Sequence, residues 1–177
     1  MAGGAVSSRL DAVPGFAPRR LGQFCQDRAC AAALDTSEAL KPISDPAPFA
    51  KPVFFPPQKY PIALRDLEGE WPNPASSCAG YAFPVGLPIT IQLGNNFDAH
   101  LSAYALTQGS KPVEACGYDA TTYVNPNADD QARARTALHW NGEVVIIPRM
   151  PLERGATYEV SATVNDHPYQ WSFTVSR

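Results

Sequence analysis

From Tyr158 onward the chain alternates apolar and polar residues one by one, with Tyr158, Val160, Ala162 and Val164 set against Glu159, Ser161, Thr163 and Asn165. A period of two is that of a half-buried strand, because successive side chains point to opposite faces. Asn165, Asp166, His167 and Pro168 supply turn chemistry, and a second alternation follows in Tyr169, Trp171, Phe173 and Val175. The C-terminus therefore reads as a β-hairpin, with Trp171 and Phe173 assigned to the core. Further back, Leu87, Ile89, Ile91 and Leu93 alternate with Pro88, Thr90 and Gln92 and predict a central strand. Two shorter strands flank the turn "QGSKP", with Tyr104 and Leu106 facing inward and Val113 and Ala115 opposite them. Val144 to Ile147 is a continuous apolar run whose length fits a strand buried within a sandwich.

Between these strands the pattern changes. Residues 119–135, "DATTYVNPNADDQARAR", are polar, lack a strand period and read as a long loop with one helical turn at "DDQARAR". Upstream, proline at 42, 46, 48, 52, 56, 57 and 61 favours a stiff, extended connector. This places a boundary near residue 50: a hairpin segment and linker over 1–50, and a folded domain over 51–177. Val53, Phe54 and Phe55 are too apolar for a free linker and are expected to open the domain as an edge strand, where proline is tolerated. About seven short strands follow from Val53 onward. The expected fold is an all-β, immunoglobulin-like or fibronectin type III-like antiparallel sandwich.

Pro151 and Gly155 turn the three-residue spacing of Leu152, Gly155 and Tyr158 into a bend rather than a helix. A leucine, a glycine and a tyrosine leading into a strand match the tyrosine corner, in which the phenol hydroxyl bonds back to backbone a few residues upstream. Tyr158 is the candidate: its ring fills the end of the core and its hydroxyl meets a backbone group left unpaired by the turn. The competing reading is an ordinary buried strand tyrosine.

Composition narrows the function classes. With 45% hydrophobic and 18% charged residues, 18 prolines and 12 glycines, the 177-residue chain is globular and turn-rich. The net charge of −3 comes with scattered lysines and arginines, so no basic patch marks a nucleic-acid or anionic-membrane partner. No run has the length of a membrane span, and "MAGGAVSSRLDAVPG" lacks the apolar core of a signal peptide. Cys25 and Cys30 in "FCQDRAC" fit a hairpin whose loop is "QDRA", leaving Cys78 and Cys116 as a second pair. Four cysteines allow three pairings, and zinc is the alternative use of such thiols. A disulfide framework implies an extracellular, periplasmic or cell-surface location.

The segments "EWPNP", "YAFPVGLPITIQL", "LSAYALTQGSKPVEA" and "VVIIPRMPLERGATYEVSATVNDHPYQWSFTV" together resemble the immunoglobulin-like domain at the C-terminus of certain bacterial extracellular proteins of the CAP (SCP-like) superfamily. The resemblance covers roughly residues 52–176, and "RRLGQFCQDRACAAALD" is similar to the last hairpin of a CAP domain. It implies an accessory, non-catalytic module. A CAP cleft carries paired histidines and glutamates, whereas residues 1–50 hold no histidine and only Glu38, so no CAP site residue carries over. Either the CAP module has been lost or the chain is the C-terminal part of a longer polypeptide.

The chemistry in the chain is sparse. His100, His139 and His167 lack metal-ligand spacing, and no serine elbow or phosphate-cradling glycine loop occurs. Asp66, Glu68 and Glu70 around Trp71 suit either calcium or a solvated face. No catalytic residue, metal or cofactor is expected. Trp71, Tyr118, Tyr123 and Trp140 lie in or beside loops and are the candidate binding residues, either as a contact surface or as packing at the sandwich ends. The expected function is a spacer, docking or surface-assembly module that contacts a protein partner or itself through strand edges and the 117–135 loop. The alternatives are a carbohydrate-binding module acting through Trp71 and Trp140, and an accessory part of a secreted hydrolase.

Overall fold

A computed structural model of the chain describes residues 19–26, 29–35 and 47–177, which belong to two compact units, Met1–Ser44 and Asp45–Arg177. In the first unit, β1 (Arg19–Gln26) pairs antiparallel with β2 (Ala29–Asp35), and the register sets Cys25 opposite Cys30. The side chains of this predicted cysteine pair, and the turn between the strands, lie outside the described residues.

The second unit is built mostly of β-strands in several sheets with one α-helix. In chain order these are β3 (Ala47–Phe55), β4 (Pro61–Ile62), β5 (Asp66–Leu67), β6 (Val85–Gly86), β7 (Ile89–Asn95), β8 (Leu101–Gln108), β9 (Lys111–Pro112), β10 (Ala115–Tyr118), α1 (Ala128–Asn141), β11 (Glu143–Pro148), β12 (Thr157–Val164) and β13 (His167–Val175). A four-stranded sheet runs β10-β11-β7-β3, a five-stranded sheet runs β4-β13-β12-β8-β9, and β5 pairs with β6. β3 is an edge strand carrying Pro48 and Pro52, and its register with β7 shifts between Pro48 and Val53. A proline-bearing strand cannot supply a full ladder of N–H donors, which confines it to an edge.

Alternation places the core. Ile89, Ile91, Leu93, Val144 and Ile146 of the four-stranded sheet share one buried cluster with Leu106, Tyr158, Val160, Trp171, Phe173 and Val175 of the five-stranded sheet. In the hairpin β12–β13, Val160 faces Trp171 and Val164 faces His167, so the turn is Asn165–Asp166 alone. Both turn residues have positive φ, 49° and 63°, as a primed two-residue hairpin turn requires. His167 and Pro168, expected in the turn, are therefore the first residues of β13.

At the other end of β12 the Glu153 N–H donates to the Tyr158 hydroxyl at 2.8 Å, while the Tyr158 ring stacks on Phe173 with centroids 5.6 Å apart. Leu152 is buried beside them, and Gly155, at φ 76°, donates its N–H to the Val175 carbonyl at 2.8 Å. Tyr158→Phe keeps the ring but leaves the Glu153 N–H without its acceptor. It is expected to cost about 1–2 kcal/mol in urea denaturation.

Two expectations are corrected. Tyr104 is 39% exposed although Leu106 is buried. β9 covers only Thr107 and Gln108 of β8, so Tyr104 stands on an uncovered edge, its ring against Gly117 of β10. The 117–135 segment is not one long loop either: Gly117 and Tyr118 end β10, and α1 begins at Ala128 and continues to Asn141. The reason is local. The Asn127 side chain accepts from the N–H groups of Asp129 (2.9 Å) and Asp130 (3.1 Å), both acids lie in the positive first turn, and Ala, Arg, Gln and Leu fill the helix. Gly142 closes it at φ 52°, where a Cβ would meet the Gly94 carbonyl oxygen at 2.5 Å.

Candidate functional site

After Glu143, β11 is apolar from Val144 to Pro148, and both of its faces are covered. Val144 and Ile146 enter the core between the two larger sheets, whereas Val145 and Ile147 join a second cluster with Tyr118, Tyr123, Leu138, Ala75 and Cys78. This second layer consists of α1, the segment after β10, and a 3-10 turn over Pro74–Ser77. The Asn73 side chain caps that turn by accepting from the Ala75 N–H at 2.9 Å.

The layer does not close completely. A cavity of about 240 Å³ remains, with Trp71, Tyr118 and Tyr123 among its walls, Leu138 and Val145 beside them, and Glu70 and Glu143 as its only ionisable carboxylates. Trp71 is 65% exposed at the rim, with the Arg133 guanidinium 5.5 Å from its ring centroid. Tyr118 and Tyr123 meet edge to face at 5.3 Å and are buried.

The electrostatics follow from this burial. Desolvation, the neighbouring Tyr123 hydroxyl and the charges of Glu143 and Glu70 push the Tyr118 phenol far above its ordinary pKa, so it stays protonated. Burial also raises the Glu143 carboxyl, against the opposing hydrogen bonds from the side chains of Gln92, Asn141 and Thr90, and the Glu70 charge adds to the rise. A half-buried carboxylate, a second carboxylate and a protonated phenol thus act on one another electrostatically at one cleft.

The scaffold around the cleft is tied from three directions. The Tyr123 hydroxyl donates to the Asn73 carbonyl at 2.7 Å and accepts from Ser76 and Asn125, each at 3.0 Å. Arg135 Nε donates to the Tyr123 carbonyl at 2.9 Å. Cys78, just after the 3-10 turn, is disulfide-bonded to Cys116 of β10.

Asp119, buried behind Tyr118, organises the next turn. Its Oδ1 accepts from the Thr121 N–H (2.8 Å), the Thr121 hydroxyl (2.7 Å) and the Thr122 N–H (3.0 Å), and its Oδ2 accepts from the Leu101 N–H (3.0 Å). Burial alone raises its pKa. The hydrogen bonds from the Thr121 side chain and the three N–H groups outweigh this and hold it below the ordinary carboxylate range. With the folded value depressed, the stability from Asp119 is present above the ordinary carboxylate range and is lost as pH falls through the folded value. Asp119→Asn turns an amide donor toward one of these N–H groups. It is expected to cost about 2 kcal/mol at neutral pH and to flatten the acid limb of a pH series of urea midpoints.

Among the predicted binding residues, then, Trp71, Tyr118 and Tyr123 line one cleft. Trp140 does not: it lies near the end of α1, 37% exposed, with its carbonyl accepting from the Asn96 N–H. Trp171 is in the core, its indole N–H donating to the Pro56 carbonyl at 3.0 Å. Glu143 and Asp119 were not singled out from the sequence. The signal for Asp119 is the two threonines that follow it at the hydrogen-bonding spacing of an Asx turn. Glu143 carries no such signal, since a glutamate at a strand start is ordinarily solvated. Among the described residues no three His, Cys, Asp or Glu side chains gather as a metal site, and no helix is long and apolar enough to cross a membrane.

No protein-family model matches the chain, and no curated protein matches it. Chemically, a small apolar cleft with an exposed indole at its mouth and carboxylates within can bind a ligand through stacking and charge.

Proposed function

We propose that the second unit is an immunoglobulin-like or fibronectin type III-like sandwich serving as a non-catalytic docking module outside the cytosol, as the accessory domain of a CAP-superfamily protein would. Seven strands of four or more residues among those described, placed in the two larger sheets, support the sandwich reading. The Cys78–Cys116 disulfide is compatible with an oxidising compartment. The observation that carries the docking role is Trp71, held at the mouth of a preformed cleft and left mostly uncovered. An indole displayed in this way is the residue type that anchors protein interfaces.

Carbohydrate binding is the second reading, favoured by the same exposed ring. The separation of Trp140 from the cleft lining weighs against a platform of two tryptophans. One experiment addresses both. Fluorescently labelled protein is incubated with intact cells that produce it, and retention is compared with that of Trp71→Ala. The variant is expected to unfold at the wild-type midpoint but to be retained roughly tenfold less, as for the loss of an interface anchor. Protease treatment of the cells beforehand should abolish retention of the wild type. Retention that survives protease and disappears after glycan digestion would establish the carbohydrate reading instead, and equal retention of Trp71→Ala would remove the cleft from either.

A further inference from the structure

We infer that the cleft beneath Trp71 receives a single cationic side chain, lysine or arginine, from a partner protein, with Glu143 and Glu70 as its counter-ions. The inference rests on the docking reading and names what that surface recognises.

Charge complementarity is the first support. The cavity wall contains two carboxylates and no lysine, arginine or histidine. The ion pairs among the described residues join Arg65 to Asp66, His139 to Asp98 and Arg149 to Glu114, and none involves Glu143 or Glu70. The nearby cations are engaged elsewhere: Arg133 stacks on the Trp71 ring without lining the cavity, and Arg135 is bonded to the Tyr123 carbonyl. Glu143 is held by neutral donors, Asn141 at 3.4 Å together with the side chains of Gln92 and Thr90. Unlike the donors around Asp119, the neutral donors around Glu143 do not offset its burial, so its carboxylate keeps an uncompensated desolvation that a nearby cation relieves. A cationic ligand supplies that charge.

Shape and lining are the second support. At about 240 Å³ the cavity is smaller than the range of about 300–1,000 Å³ typical of drug-sized ligands, so it suits one side chain rather than a whole small molecule. Apolar walls at Leu138 and Val145 match the methylene stem of lysine or arginine, which buries its carbons while the charged head seeks a polar partner. Trp71 and Tyr118 border the same cavity, and the Arg133 guanidinium over the Trp71 ring shows the attraction of a cation to an aromatic quadrupole at its mouth. A neutral sugar would stack on Trp71 equally well but would leave Glu143 without a counter-ion. Among the described residues no group of three His, Cys, Asp or Glu side chains gathers there to hold a metal ion.

The test titrates the intact chain with Nα-acetyl-arginine amide and Nα-acetyl-lysine amide at millimolar concentrations, with Nα-acetyl-norleucine amide as the uncharged isostere and a neutral disaccharide as the sugar control. Binding is read from the NMR signal of the Trp71 indole N–H, assigned by its absence in Trp71→Phe. The cationic amides are expected to give a saturable shift, and the norleucine amide and the disaccharide at least roughly tenfold weaker binding. Glu143→Gln should weaken the cations to the norleucine level, whereas Glu159→Gln, on an exposed position of β12, should leave them unchanged. Glu70→Gln, at an exposed position, gives a second route should Glu143→Gln fold poorly, with an expected several-fold loss. Equal binding of norleucine amide or disaccharide, or cation binding untouched by either glutamate variant, would overturn the inference. If Trp71→Ala loses cell retention while the cationic amides give no shift, docking stands and the cation falls; if retention is also unaffected, both fall.

Discussion

Replacing Cys78 and Cys116 together by serine is expected to lower stability by about 4 kcal/mol, the loop-entropy value for a bridge of this span. The two sulfurs join residues 38 apart in sequence, so the cross-link removes a large set of conformations from the unfolded chain. The location makes the bridge matter for the cleft as well. Cys78 is buried in the cluster beneath α1, directly after the 3-10 turn, and Trp71 lies a few residues upstream of it. Cutting the bridge leaves that segment held by the hydrogen bonds of Tyr123, Ser76 and Ser77 and by the packing of Ala75 in the second cluster. Urea denaturation of the double variant against the oxidised wild type measures the loss. Reductant should lower the wild-type midpoint and leave that of the variant in place. A loss under about 1 kcal/mol would mean that the unfolded chain is already constrained in this region, or that the reduced clusters pack nearly as well.

The second large effect lies in the other cluster. Trp171→Ala is expected to cost about 3–5 kcal/mol, as for the deletion of a buried aromatic ring. The indole is buried between the larger sheets, 4.8 Å from the Phe54 ring, and its N–H is the donor to the Pro56 carbonyl. It thereby fastens the proline-rich edge strand β3 and the residue that follows it to the core. Trp171→Phe separates packing from hydrogen bonding: it keeps an aromatic ring but leaves the Pro56 carbonyl unpaired, and about 1–2 kcal/mol should be lost. An alanine variant within about 1 kcal/mol of wild type would show that β3 is held independently of this residue.

Tyr158 to Val175 carries its structure locally, because strict alternation on two adjacent strands leaves one face apolar, and a one-residue slip would turn that face to water. Ile89 to Leu93 is legible for the same reason. The helix at Ala128–Asn141 is a different case. Its signals were local too, with Asn127 before it, Asp129 and Asp130 in its first turn and Gly142 after it, but its apolar face is reduced mainly to Leu138. Without a periodic apolar stripe it looks like a polar loop, and its caps and helix-forming residues outweigh that impression. Tyr104 shows the reverse, an apolar position in an alternating run that lies open because the neighbouring strand is only two residues long.

The amino-acid order alone determined the β class, the C-terminal hairpin, the bend that carries Leu152, Gly155 and Tyr158, and the aromatic residues worth attention, since each depends on neighbours two to six positions away. Tertiary structure alone decided that Trp71, Tyr118 and Tyr123 share a cleft while Trp140 stands apart, and that Glu143 enters it beside Glu70. The segments 70–71, 118–123 and 143 lie far apart in the chain, and they meet only because a second layer covers the outer face of β11 incompletely. Whether a glutamate is solvated or enclosed is a property of what packs over it, and a linear pattern holds no record of that.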